Sequence, residues 1–254
     1  MEEKKYEILK DDTIKVYWHT LHRIRALKDF RDVKKGDLGG YVEKEDNLSH
    51  EGNCWIYDNA CIYGDAWVYD NARIYDNACV YDKARVSDDA HVYDEAQVYG
   101  NARIYGNARI YDDVYVYGNA CVYDDARVYD KARVSDDAQI FGNAQVFGDA
   151  CVYDYACVYD YACVYGNAHI SNDANIYSKF DYCTISGFGS EARTTTFFKC
   201  KDKNIKVNCG CFNGTLDEFR EKVKETHGEN EYAKEYLAVA DIIETKLSTE
   251  KEDK

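Results

Sequence analysis

Residues 56–74 read IYDNACIYGDAWVYDNARI, and their period decides the fold. Ile56, Ile62, Val68 and Ile74 stand six apart, and the column continues without exception to Ile176. Four residues after each aliphatic stands Ala, from Ala60 to Ala174, with Val114 the one substitute. A strict period of six fits neither the 3.6 of a helix nor the simple alternation of a lone strand. It is the mark of a parallel β-helix, in which each hexad forms one side of a coil.

The hexad consensus is [Ile/Val]-Tyr-[Asp/Gly]-[Asn/Asp]-Ala-x. With the aliphatic at position i, positions i and i+4 face the core, and the second must be small because the chain closes a corner there. Positions i+2 and i+3 are turn residues, of the types that tolerate left-handed backbone. Positions i+1 and i+5 point outward. The chain has no proline, which suits a ladder in which each backbone N–H is needed.

Outside the repeat the pattern changes. Residues 1–37 form a small N-terminal β segment, with Ile14–Trp18 alternating like a strand and Leu21–Leu27 as a second. Residues 38–190 form the solenoid. Its first coil, 38–55, is degenerate: Leu38 is in phase with Ile56, and Val42, Leu48 and Cys54 fall in the Ala column. Residues 191–254 form a C-terminal α+β module. A hairpin turns at Asp202-Lys203 between Thr194–Lys201 and Asn204–Cys211. A helix follows, with Thr215 as N-cap and Glu218 completing a capping box. Gly228 ends it, and a second helix over about 230–247 shows Tyr232, Tyr236, Leu237, Ala240 and Ile243 on one side. The tail Ser248–Lys254 is polar and expected to fray.

The hexads resemble the hexapeptide-repeat left-handed β-helix family, in which three hexads make a triangular coil of 18 residues. On that likeness the solenoid holds about eight coils and, at about 4.8 Å per rung, runs about 40 Å. Two flanking segments extend the resemblance. Asp37-Leu38-Gly39-Gly40-Tyr41-Val42-Glu43, followed by Asn47-Leu48-Ser49-His50-Glu51-Gly52-Asn53, looks like the entry segment of phage- and prophage-encoded hexapeptide-repeat proteins. Cys209-Gly210-Cys211-Phe212-Asn213-Gly214-Thr215-Leu216-Asp217-Glu218-Phe219 looks like their C-terminal module. This implies a mobile-element origin and names no activity.

Sorting outward residues by 18 gives three aromatic columns. One holds Tyr57, Tyr75, Tyr93, Tyr111, Tyr129, Phe147 and Tyr165. The second runs Tyr63, Tyr81, Tyr99, Tyr117, Ser135, Tyr153, Ser171, and the third Tyr69, Ser87, Tyr105, Tyr123, Phe141, Tyr159, Tyr177. Such ladders stabilise the stack, and they also offer apolar, hydrogen-bonding faces to a protein partner or to a trimer seam. The i+5 column carries Arg73, Arg109 and Arg127 on one face with His91 between them. One reading pairs these arginines with corner carboxylates such as Asp76 and Asp130. The other makes Arg73, Arg109, Arg127, His91, Tyr93 and Tyr111 the binding site of a small anion.

Composition narrows the function classes. The net charge is −15, which opposes broad nucleic-acid binding and adhesion to anionic lipid. No run is long and apolar enough to span a membrane, and MEEKKYEILKDD lacks the apolar core of a secretory signal. A cytoplasmic protein with its 11 cysteines as free thiols is therefore expected, in the host cytosol if phage-encoded. Many members of the resembled family are acyltransferases with a catalytic His between subunits, walled by a loop inserted in the coils. Here nothing is inserted between 56 and 176, and His91 and His169 lie on different faces. The γ-class carbonic anhydrases of the same fold need three His on zinc, which two dispersed His do not supply. Cys200, Cys209 and Cys211 cluster in sequence on the C-terminal hairpin, yet no fourth ligand stands out. The expectation is a non-catalytic binding or scaffold protein without cofactor or metal, a trimer that binds a host protein or small anionic ligand. The alternatives are an acyltransferase using acetyl-CoA, with His91 or His169 as base, and a purely structural assembly element.

Overall fold

The computed structural model describes residues 4–248; residues 1–3 and 249–254, including most of the polar tail, lie outside it. Its centre is a parallel β-solenoid. Each hexad supplies one two-residue strand, and these run as β4–β24 from Trp55–Ile56 to Asn175–Ile176. Strands three apart in order pair in parallel, so Arg73 sits beside His91, His91 beside Arg109 and Arg109 beside Arg127. The result is three sheets, one per face. Along all of it the aliphatic and alanine columns are fully buried, Val114 included.

The corners explain the rest of the consensus. From Asp58 to Asn172, every i+2 residue has φ between 51° and 71°, and each is Asp, Asn or Gly. These are the residue types that enter left-handed backbone at least cost. Aspartate also does a second job there. Asp88 Oδ2 accepts the N–H of Gly106 at 3.0 Å, and Asp154 Oδ2 that of Asn172 at 2.9 Å. The i+3 asparagines make a parallel chain, as in Asn101 Nδ2 to Asn119 Oδ1 at 3.0 Å. The corner carboxylates therefore serve the next rung. Among the described residues Asp76 and Asp130 make no ion pair with arginine, and the expected Arg–Asp76 and Arg–Asp130 bridges do not form.

The N-terminal segment is an antiparallel hairpin, β1 (Tyr6–Val16) and β2 (His19–Ala26), with Tyr17 and Trp18 in its exposed turn rather than in a strand. It pairs through β3 (Leu38–Val42) onto one solenoid face. The first coil corrects the sequence phase. Val42 lies opposite Ile62 and Leu48 opposite Val68, both twenty residues on and both in the aliphatic column, while Leu38 is 55% exposed. Two extra residues between Ser49 and Gly52 cause the shift: Ser49 N–H donates to the Val68 carbonyl in step with Leu48, while Asn53 Nδ2 already reaches Asn71 Oδ1 in the regular 18-residue register. Cys54 does lie in the Ala column, 0% exposed. Tyr6, Ile24 and Trp55 close that end of the core.

At the other end a four-stranded antiparallel sheet takes in β25 (Tyr182–Ile185), β26 (Thr195–Lys199), β27 (Ile205–Cys209) and β28 (Phe212–Thr215). It thus includes residues upstream of 191. Phe198 and Tyr182 plug the last coil. Helix α1 (Leu216–His227) starts on the expected capping box, with Glu218 N–H donating to Thr215 Oγ1 at 3.2 Å, and ends at Gly228. Helix α2 (Glu231–Ser248) buries Ala233, Tyr236, Ala240, Ile243 and Leu247, while Tyr232 turns outward. No helix of the described residues is long and apolar enough to cross a membrane.

Candidate functional site

The arginine column is real, and the N-terminal segment completes it. His91, Arg109 and Arg127 stand on successive rungs of one face. They line a recess of ≈ 230 Å³ together with Arg31, Asp89, Asn107 and Asp125. Arg31, at φ 50°, comes from the loop after β2, and its Nη2 lies 3.6 Å from Asp89. Asn107 Nδ2 donates to Asp125 Oδ1 at 3.1 Å. Both carboxylates thus have partners, whereas Arg109 and Arg127 are exposed and make no ion pair among the described residues. On a chain of net charge −15 this is a local cationic strip.

His91 sits between the arginines. Burial, then the guanidiniums of Arg73, Arg109 and Arg31, hold its pKa below the usual 6.5. It is therefore a neutral imidazole at pH 7, able to accept or donate one hydrogen bond.

The same loop removes Arg73 from the recess. Its Nη2 lies 3.4 Å from Asp32 Oδ1, and its Nη1 donates to Tyr75 Oη at 3.0 Å. Tyr57 Oη donates to Asp32 as well, at 3.0 Å. Tyr93 and Tyr111 are also outside the recess. They belong to the i+1 column on the other side of the buried aliphatics and stack on each other at 5.0 Å, nearly parallel at 6°. Of the six expected residues, three line the recess. Arg31 was invisible in the repeat, because it lies in the non-periodic segment sixty residues before His91.

Stacked runs of rings form in all three aromatic columns. Tyr81–Tyr99 and Tyr105–Tyr123 sit at 4.9 Å, 3° and 4° from parallel. Burial of each ring lifts the Tyr99, Tyr105 and Tyr111 phenols above their usual range. These rings are structural rungs as well as surface.

His169 occupies a second hollow, of ≈ 500 Å³, where the last coils meet the C-terminal sheet; Tyr153, Arg193, Asn208 and Cys211 also line it. Desolvation by that sheet lowers its pKa below 6.5. His91 and His169 are on separate faces, as their spacing requires. The cysteines of the C-terminal hairpin do not come together. Cys200 is at the turn and Cys209 at the far end, beside Thr195. Cys200 lies instead near Asp173 and Asp202, and Asp173 is held by Lys206 at 2.9 Å. Burial and Asp173 push the Cys200 thiol up to about 12. All the cysteines of the described residues are free.

The chain is a β-solenoid repeat protein. The YdcK beta solenoid repeat matches it at residues 72–88, 96–112 and 102–118. A 38-residue stretch is 53% identical to the uncharacterized acetyltransferase YdcK of Escherichia coli. That stretch is 15% of this chain and covers only 12% of YdcK. The segments matched by the repeat family all lie in the solenoid, so that likeness bears on the fold and on the coil sequence.

Proposed function

We propose that this is a non-catalytic binding protein whose cationic recess holds a small anionic ligand. The observation that carries the reading is the pair Arg109 and Arg127. They are neighbours on adjacent rungs, both lack an ion-pair partner among the described residues, and both face a hollow edged by Arg31 and neutral His91. Two guanidiniums about one rung apart suit two oxygens of one phosphate, carboxylate or sulfonate. The rigid, uninterrupted solenoid holds them without needing a folding step on binding. The stacked aromatic faces suit a second copy or a host protein, and we infer a homotrimer acting in the host cytosol. The flanking segments that resemble phage and prophage proteins support the role of an accessory or counter-defence factor. Native mass spectrometry of protein purified from host cells tests the reading. A retained small anion, lost in the Arg109→Ala/Arg127→Ala double variant, is expected; equal retention by the double variant refutes it.

A second reading has its own support. YdcK is named an acetyltransferase, and His169 lines a hollow large enough for an acyl donor, near Arg193. Calorimetric titration with acetyl-CoA separates the two. Saturable binding abolished by Arg193→Ala favours acyl transfer, and absence of binding removes it.

A further inference from the structure

We propose that the break in the third aromatic column, at Ser87, is a slot for a planar aromatic ring that carries an anionic group. It lies on a different face from the Arg109–Arg127 recess and is independent of it.

From Tyr105 to Tyr159 the rings of this face run unbroken, with Tyr105–Tyr123 and Tyr123–Phe141 centroids at 4.9 Å and Phe141–Tyr159 at 5.1 Å. Ser87 takes the position of a ring between Tyr69 and Tyr105. Two rungs separate the two positions along the sheet, about 9.6 Å, twice the spacing the ladder already uses. The gap opens into a hollow of ≈ 390 Å³. Its floor is Ser87, only 5% exposed, whose hydroxyl makes no hydrogen bond among the described residues.

The sides of the slot add specificity. Arg85 and Arg103 are paired neighbours on successive rungs and both line the hollow. Both are exposed, and neither makes an ion pair or side-chain hydrogen bond among the described residues. Asp70 and Asp88 line it too. Asp88 Oδ2 accepts the Gly106 N–H, and the Asp70 side chain makes no hydrogen bond among the described residues, so Asp70 is the freer acceptor for a donor on the ring. Stacking walls, a guanidinium pair and one acceptor select a planar ring with an anion at one edge and an N–H or O–H at another.

Two other serines interrupt an aromatic column, and at Ser171 the gap is filled. At Ser171 the C-terminal sheet enters the gap, with Asn208 Nδ2 and Asn213 Nδ2 donating to Ser171 Oγ at 3.0 and 3.2 Å. At Ser135 the hydroxyl donates to Asp136 Oδ2 at 3.0 Å. The Ser171 gap thus shows another group entering where a ring is missing, and at Ser87 that place is open.

The test is titration of the full chain with AMP, against adenosine and ribose phosphate as its two halves. Trp67 stacks on Tyr69 at 4.1 Å, so its fluorescence reports the slot, with Trp67→Phe as control. Saturable AMP binding is expected, with each half binding at least about tenfold more weakly. Ser87→Tyr rebuilds the ladder with the residue native to the neighbouring rungs, and should weaken AMP at least about tenfold while circular dichroism is unchanged. Arg85→Gln with Arg103→Gln should weaken AMP and leave adenosine unaffected. The Trp67-dependent signal reads the slot and not the recess, so in the Arg109→Ala/Arg127→Ala variant it should titrate with AMP as in the parent, and failure of this slot and failure of the recess are read separately. Absence of saturable AMP binding by the parent chain overturns the proposal. So does a Ser87→Tyr variant, or an arginine double variant, that binds AMP as tightly as the parent.

Discussion

Asp130 Oδ2 accepts the backbone N–H of Gly148, one coil away, at 3.0 Å. That N–H belongs to a corner residue and lies outside the strand ladder, so without the carboxylate only solvent satisfies it. Asp130 itself holds φ 62°. One side chain therefore meets two demands, left-handed backbone at its own corner and an acceptor for the next.

Asp130→Ala removes the acceptor and places a Cβ without polar compensation in left-handed backbone. A loss of about 1–2 kcal/mol is expected. Asp130→Asn keeps both an acceptor oxygen and the tolerance for that backbone, and should cost clearly less. Chemical denaturation of the two variants checks this. Equal losses would show that charge, rather than the shared acceptor, is what the corner uses.

Tyr111 stacks on Tyr93 and on Tyr129, both at 5.0 Å. Its removal breaks two contacts of about 0.5–1.5 kcal/mol each. Tyr111→Ala should therefore destabilise by about 1–3 kcal/mol, and Tyr111→Phe, which keeps the ring, by a small fraction of that. Because a solenoid is coupled mainly between neighbours, hydrogen exchange should quicken most in the rungs next to Tyr111. Uniform quickening along all coils would contradict that picture.

How far the sequence carried the structure follows from where the period holds. The columns from Ile56 and Ala60 onward could be read because each hexad has the same environment as the next, so one rule covers all. The register of Val42 and Leu48 could not, because His50-Glu51 adds two residues and shifts the phase by a third of a hexad. Three of the seven residues lining the recess were legible, since a spacing of 18 sets His91, Arg109 and Arg127 on successive rungs. Arg31 and the capture of Arg73 by Asp32 were not, because they depend on how a non-periodic loop lies on the prism. Ser87 was visible as an odd letter in a tyrosine column, and its meaning required the hollow around it.

His91 gives the recess a pH dependence. Its pKa is held below 6.5 by burial and by Arg73, Arg109 and Arg31, against a smaller opposing pull from Asp89. It is therefore neutral at pH 7 and gains a proton only as the pH falls below 6.5. Anion affinity at Arg109 and Arg127 should rise over that acid range, as one more positive charge enters the site. Stability should move the other way. The folded pKa is the lower one, so the unfolded chain binds the proton first, and stability is lost as pH falls through and below 6.5. His91→Asn should flatten both trends. Calorimetry and thermal denaturation at a series of pH values are the measurements; an affinity that falls with acid in the parent chain would contradict this assignment.

Asn208 joins the C-terminal module to the solenoid. Its Nδ2 donates to the His169 carbonyl at 2.8 Å, Ser171 Oγ at 3.0 Å and Tyr153 Oη at 3.3 Å, and the residue is 8% exposed. Asn208→Asp changes little in shape but replaces the donor with a carboxylate oxygen facing a carbonyl. A cost of about 3 kcal/mol is expected, since the buried acceptors lose their partner and gain a charge. Asn208→Ser, smaller and still a donor, should cost less. The readout is limited proteolysis together with solenoid circular dichroism. Cleavage after about residue 190 should accelerate in the Asp variant while the solenoid signal persists, because Phe198 and Tyr182 plug one end of a stack whose other coils hold one another. Loss of both signals together would mean instead that the module is required for the whole solenoid to fold.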